Sequence, residues 1–404
     1  VTDGGFVRQF LDGLLKQWGV TNDLVTVLVY GAGMLLFATI VLLLWVAPLA
    51  GFTSYFERRI AARMQSRVGP NRVGPHGILQ WIADGLKCLL KEDLIPREAD
   101  AKLFKVAPYL VFFGMLGTFI VLPFSEWLVI ADLDIGVFFL MAVTAFVAVG
   151  IIIAGWSSNN KWALLGGMRS AAQIVSYEIP SGLALLAVVL TAGTLSTQGI
   201  IRDQGWAPWQ WNMFRTPFLF TAFFVYFISA LAEINRAPFD LPEAESELVA
   251  GYNTEYSGMR FALFFLAEWA DCYVISAVAT MAFLGGWQIP PIVPEAARPL
   301  VQVLAFVAKS FFLIFVVIWV RWTLPRIRVD QMMELCWKYL VPIGFVNLLG
   351  TAAWVAFVPP NLGLATATSI TLCVLAAAVV LYFVARVRYN LRATNAEVSL
   401  NPFV

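Results

Sequence analysis

The sequence predicts an all-α, polytopic membrane protein with about nine transmembrane helices. Of its 404 residues, 60% are hydrophobic and only 13% charged, with 32 Phe and 15 Trp; a water-soluble domain of this size has no use for so apolar a surface. Windows of about 20 apolar residues recur along the chain, the length that crosses a hydrocarbon core roughly 30 Å thick. Lys and Arg are also shared unequally between alternate connections, as the positive-inside rule requires of a multi-pass chain.

The apolar runs place helices at about 27–50, 106–124, 136–155, 179–195, 216–233, 261–285, 301–322, 339–357 and 365–386. The first follows a polar stretch holding Arg8, Asp12, Lys16 and Asp23 and is too long for a signal-peptide core, so it reads as a retained anchor. With the N-terminus outside, 21 of the 27 basic residues fall inside, ten of them in the loop 51–105, against five outside and Lys309 within a span. The orientation is therefore N-out, C-in, with residues 1–404 forming one integral membrane domain.

Several function classes drop out. A net charge of +1 and the lack of a compact basic domain give nucleic acid nothing to bind. Cys88, Cys272, Cys336 and Cys373 are widely spaced, and His76 is the only histidine. Iron–sulfur, zinc and bis-histidine haem sites all lack their ligands. No P-loop or G-x-G-x-x-G appears. The chain is expected to carry no redox cofactor of its own.

The loop 51–105 opens with the first helix continuing through Glu57, Arg58, Arg59, Arg63 and Arg67, followed by the tandem RVGPN-RVGPH from Arg67 to His76. Gly and Pro at this density end the helix in turns. The bland alternative for these arginines is a basic loop resting on anionic lipid. Next, over 77–93, Gln80, Asp84, Lys87 and Lys91 form one polar stripe, with Ile78, Ile82, Leu86, Leu89 and Leu90 on the other side. This predicts an amphipathic helix lying along the interface; simple surface anchoring would look the same.

Between the third and fourth spans, Lys161 and Arg169 precede Glu178, which enters the fourth span near its cytoplasmic end. The acidic loop 232–260, on the same side, holds Glu233, Asp240, Glu243, Glu245, Glu247 and Glu255 with Arg236 and no other base until Arg260. Glu243 and Glu247 are i, i+4 in a helical reading, and like charges so placed push one another toward protonation where water is scarce. Phe239, Leu241, Leu248 and Val249 interleave with the acids, which fits a solvated loop poorly and a proton or ion path better.

Four blocks carry a family resemblance: ERRIAARMQSRVGPNRVGP, SNNKWALLGGMRSAAQIVSYEIP, AEINRAPFDLPEAESELVAGYNTEYSG and FVVIWVRWTLPRIRVDQMMELCWKYLVP. In this order they resemble the H subunit of respiratory complex I, the counterpart of mitochondrial NADH dehydrogenase subunit 1, over about residues 30–350. The resemblance implies a non-cofactor-bearing subunit of NADH:quinone oxidoreductase in the bacterial plasma membrane. Quinone is its substrate, and FMN and iron–sulfur clusters lie on partner subunits. Peripheral-arm iron–sulfur and quinone-site subunits, small membrane subunits and antiporter-like subunits are the implied partners. By position, Glu57, Arg58, Arg67 and Asp84, with Arg236 and Asp240, correspond to the quinone chamber. Arg169, Glu178, Glu233, Glu243, Glu245, Glu247 and Glu255 correspond to the charged funnel that couples quinone reduction to proton movement. Residues 363–404 add a ninth helix and tail beyond the point where members of the family can end.

Related membrane-bound hydrogenases and F420H2- or ferredoxin-linked quinone reductases share this ancestry. A stand-alone transporter or a passive anchor would be a different class of protein. Paired half-repeats with interrupted helices, which a transporter would show, are not found, and a passive anchor has no need of so many acids beside the bilayer.

Overall fold

The computed structural model describes residues 42–242, 245–358 and 364–393, and among them all regular structure is helical, with no strand. Helix α1 (Ala47–Met64) carries the start of the basic loop and α2 (Gln80–Leu90) is the expected amphipathic helix. Then come α3 (Ala101–Val121), α4 (Gly136–Ser157), α5 (Lys161–Ala192), α6 (Pro217–Glu233), α7 (Gly258–Phe283) and α8 (Arg298–Thr323). A short helix, Val329–Glu334, and a π-helical turn, Leu335–Leu340, lead into α9 (Val341–Phe357), and α10 (Leu364–Ala393) follows.

Among the described residues, six helices are long and apolar enough to span a membrane: α3, α4, α5, α7, α8 and the composite Val329–Phe357. Pro217–Glu233 and the window Thr366–Tyr382 are apolar but shorter. The expected first span, 27–50, lies largely outside the described residues, as do Glu243 and the end of the tail.

The expected fourth span begins much earlier than hydropathy suggests. Helix α5 runs 32 residues, with Asn160 capping its start by accepting from the Trp162 amide at 3.0 Å. At 1.5 Å per residue it is roughly 48 Å long, well beyond a ~30 Å hydrocarbon core. Its first five turns, Lys161–Glu178, read as a connection, are helical and carry Arg169 and Glu178.

Two helices organise the bundle. Helix α5 packs against α4, α6 and α9, while α7 packs against α1, α2, α3 and α8. Small residues allow the close approaches: a Cβ on Gly166 of α5 would stand 2.7 Å from the Cα of Gly251. That contact presses the segment after α6 onto α5. Gln173 of α5 donates to the carbonyls of Ala232 (2.7 Å) and Phe239 (2.8 Å), and Asn235 donates to the Ser170 hydroxyl at 3.1 Å. Phe239, Leu241 and Leu248 are buried. Most of the acidic segment is thus folded into the bundle, because its interleaved apolar residues have a core to enter.

Candidate functional site

Glu57 lies midway along α1 and points into the bundle, 7% exposed. Its carboxylate accepts from Arg321, near the end of α8, and has Arg236 Nη1 at 3.9 Å. Arg236, just past α6, pairs through Nη2 with Glu268 of α7 at 3.0 Å, and its guanidinium lies 4.3 Å from the Trp269 ring centroid. Two arginines and two glutamates from different elements therefore neutralise one another away from water, the condition under which buried charges persist. Trp269 adds its electron-rich face to the same guanidinium.

These groups border a cavity of about 350 Å³ lined also by Arg58, Arg67, Asn253 and the rings of Phe261, Phe265, Trp269 and Trp322. A lining that combines aromatic rings with charged groups suits a flat ring bearing polar oxygens. Four of the residues the sequence marked for the chamber, Glu57, Arg58, Arg67 and Arg236, meet here. The other two stand beside it in ion pairs. Asp84 of α2 holds Arg58 at 2.7 Å, with Gln80 donating to its second oxygen at 3.1 Å, so the polar stripe of α2 faces α1. Asp240 pairs with Arg326 at 3.0 Å.

The coupling residues fall into two groups. Arg169 and Glu247 pair at 2.8 Å on the outside of the bundle, with the Glu247 side chain 59% exposed. That hydrogen bond and the guanidinium charge hold Glu247 below the usual carboxylate range. Glu255 accepts from Asn160 at 2.7 Å, tying the acidic segment to the start of α5. Nearby, burial pushes the Tyr256 hydroxyl up to about 12 as it donates to the Phe104 carbonyl at 3.2 Å. Glu245 begins a one-turn helix, Glu245–Leu248.

The second group lies within the bundle. Glu233, the last residue of α6, accepts from Ser181 of α5 at 2.6 Å. It lies in Coulomb reach of Glu178 on α5 and of Asp271 on α7. Asp271 in turn feels Glu268, and Glu268 feels Glu57 and Asp240. A series of interacting carboxylates thus runs from Glu178 through Glu233, Asp271 and Glu268 to the cavity. Among the described residues, no three His, Cys, Asp or Glu side chains converge as metal ligands would.

Glu268, Asp271, Trp269 and Arg321 were not singled out from sequence. Glu268 and Asp271 sit three apart inside an apolar run, a spacing that puts both on one side of a helix, and acids inside a span are themselves a functional signal.

Residues 37–352 match the profile of a family described as NADH dehydrogenase. The chain belongs to the NADH dehydrogenase family. Among its relatives, the H subunit of the NADH-quinone oxidoreductase of Anaeromyxobacter dehalogenans is 58% identical over 324 residues, covering 76% of this chain and 78% of the relative. The H subunit of the Chlorobium luteolum enzyme is 48% identical over 336 residues (81% and 90%), and that of Chlorobaculum parvum 46% over 350 residues (84% and 98%). The family match spans α1 to α8 and most of α9, ending at residue 352, before α10.

Proposed function

We propose that the chain is the membrane subunit of a proton-pumping NADH:quinone oxidoreductase, forming much of the quinone chamber and coupling quinone reduction to proton translocation through buried carboxylates. The observation that carries this is the cavity itself, which Glu57, Arg58, Arg67 and Arg236 line together with Glu268, the head of the carboxylate series.

Reducing a quinone takes two electrons and two protons. The electrons would be supplied by iron–sulfur clusters and FMN, which the family resemblance places on partner subunits. This chain's residues do the rest. Aromatic side chains hold the ring, and the arginines stabilise negative charge building on its oxygens in a site of low dielectric. Such a change in charge acts on the carboxylates that border the cavity, and the effect passes along acids that interact as a group. Antiporter-like partners receive it. In the N-out, C-in orientation the cavity opens toward the cytoplasmic side of a bacterial plasma membrane.

The test is Arg58→Ala and Arg67→Ala in the assembled complex. Quinone reduction is expected to fall on the order of a hundredfold, the low end for one lost charge-stabilising group, while NADH still reduces an artificial acceptor at the normal rate. Unchanged quinone kinetics in both assembled variants would count against the chamber.

A further inference from the structure

Beside the cavity, the tandem RVGPN-RVGPH folds into a second, more open basin of about 750 Å³, lined by Arg58, Arg67, Arg72, Val68, Gln80 and the Gly69–Asn71 backbone turn. We propose that this basin binds the phosphate headgroup of an anionic phospholipid from the cytoplasmic-side leaflet.

The loop is built to hold its shape. The Arg67 amide donates back to the Ala62 carbonyl at 2.8 Å, and the Leu79 amide donates to the Val73 carbonyl at 3.3 Å. Gly77, at φ +80°, lies so close that a Cβ would meet the Pro70 carbonyl oxygen at 2.2 Å; only glycine closes this turn.

The charge is uncompensated. Asp84 answers Arg58, and Arg67 has the neutral Gln65 amide oxygen at 2.6 Å. Among the described residues, neither Arg67 nor Arg72 has an acidic partner. Two guanidinium forks without a counter-charge match the two unesterified oxygens of a phosphodiester. Arg58 and Arg67 also line the cavity, whereas Arg72 lines the basin and not the cavity.

The surroundings select a lipid over a soluble anion. Val68, on the basin wall, is 49% exposed, and Leu79, at the start of α2, is 43% exposed. Beyond them Ile82, Leu86 and Leu89 face outward along α2, while Gln80 and Asp84 face α1. With that apolar stripe at the hydrocarbon boundary, the basin on the polar side stands at headgroup level, and Val68 and Leu79 give acyl chains a path between the two.

The experiment places a photo-crosslinking residue at Asn71 in the assembled complex, reconstituted into vesicles of equal phosphatidylglycerol and phosphatidylcholine. Adducts are expected to carry phosphatidylglycerol in roughly fivefold or greater preference, the scale of one arginine at a membrane surface, and Arg72→Gln should bring the ratio toward one. Adducts on another subunit, adducts on quinone, no lipid adduct, or equal labelling by the two lipids would each overturn the proposal. The readout is independent of quinone turnover, so the chamber reading can stand or fall separately.

Discussion

Arg236 is 5% exposed, with Glu57 and Glu268 as its counter-charges. Arrangements of this kind contribute little net stability when whole and cost several kcal/mol when one member is lost, because the survivor is a buried, unanswered charge. Arg169 and Glu247 are the opposite case, an exposed pair whose effect is read by titration. Since the folded state lowers the Glu247 value, its pairing is fully present above about pH 4.5, the ordinary value, and is lost as pH falls through the lower folded value. Infrared difference titration against Glu247→Gln should show a carboxylate protonating below about 4.5, and Arg169→Gln should return it to that value; titration above it in the parent protein would contradict the pair. Glu57, Arg58, Arg67 and Arg236 were assigned through the family resemblance, because local charge alone left the loop arginines equally suited to resting on anionic lipid. Glu268 and Asp271 were not, since a hydropathy average over Phe, Leu and Ala absorbs two acids.

Helix α5 shows what hydropathy misses at the scale of an element. Its first turns, KWALLGGMRSAAQ, contain small and polar residues that score as a loop, yet small residues are what let backbones approach closely in a membrane bundle. The Gly166–Gly251 contact is the clearest instance, and Gly166→Val is expected to cost about 1 to 3 kcal/mol as an overpacking change. Hydrogen exchange should rise over 248–257 with α3 unaffected; unchanged protection there would show that the contact does not hold the segment. Helix α2 was easier to read. Its period of polar and apolar residues survives in the structure, with the polar stripe turned to Arg58.

At the scale of the whole molecule, the carboxylate series draws on α1, α5, α6 and α7 and so depends on how the bundle is assembled. Glu233→Gln keeps size and the Ser181 hydrogen bond while removing an ionisable group from the middle of the series. In assembled complexes reconstituted in vesicles, quinone reduction and proton uptake are expected to fall together by on the order of tenfold or more, as for loss of a positioned proton-transfer group; wild-type rates of both would remove Glu233 from the path. The helical class and the basic and acidic segments were legible from composition and charge. Which acids meet was not, because that is decided by helix crossings and not by spacing along the chain.

The division of this series among separate helices has a mechanical consequence. Neighbouring carboxylates on one rigid rod would keep their spacing whatever the bundle did, but Ser181 and Glu178 ride on α5, Glu233 on α6, and Asp271 and Glu268 on α7. A slide of an ångström between α5 and α7 would retune the steps through Glu233, while the Asp271–Glu268 step, carried on one helix, would keep its spacing. The row of acids is therefore also an alignment gauge, one that registers any distortion a partner imposes on the bundle as a change in where protons sit.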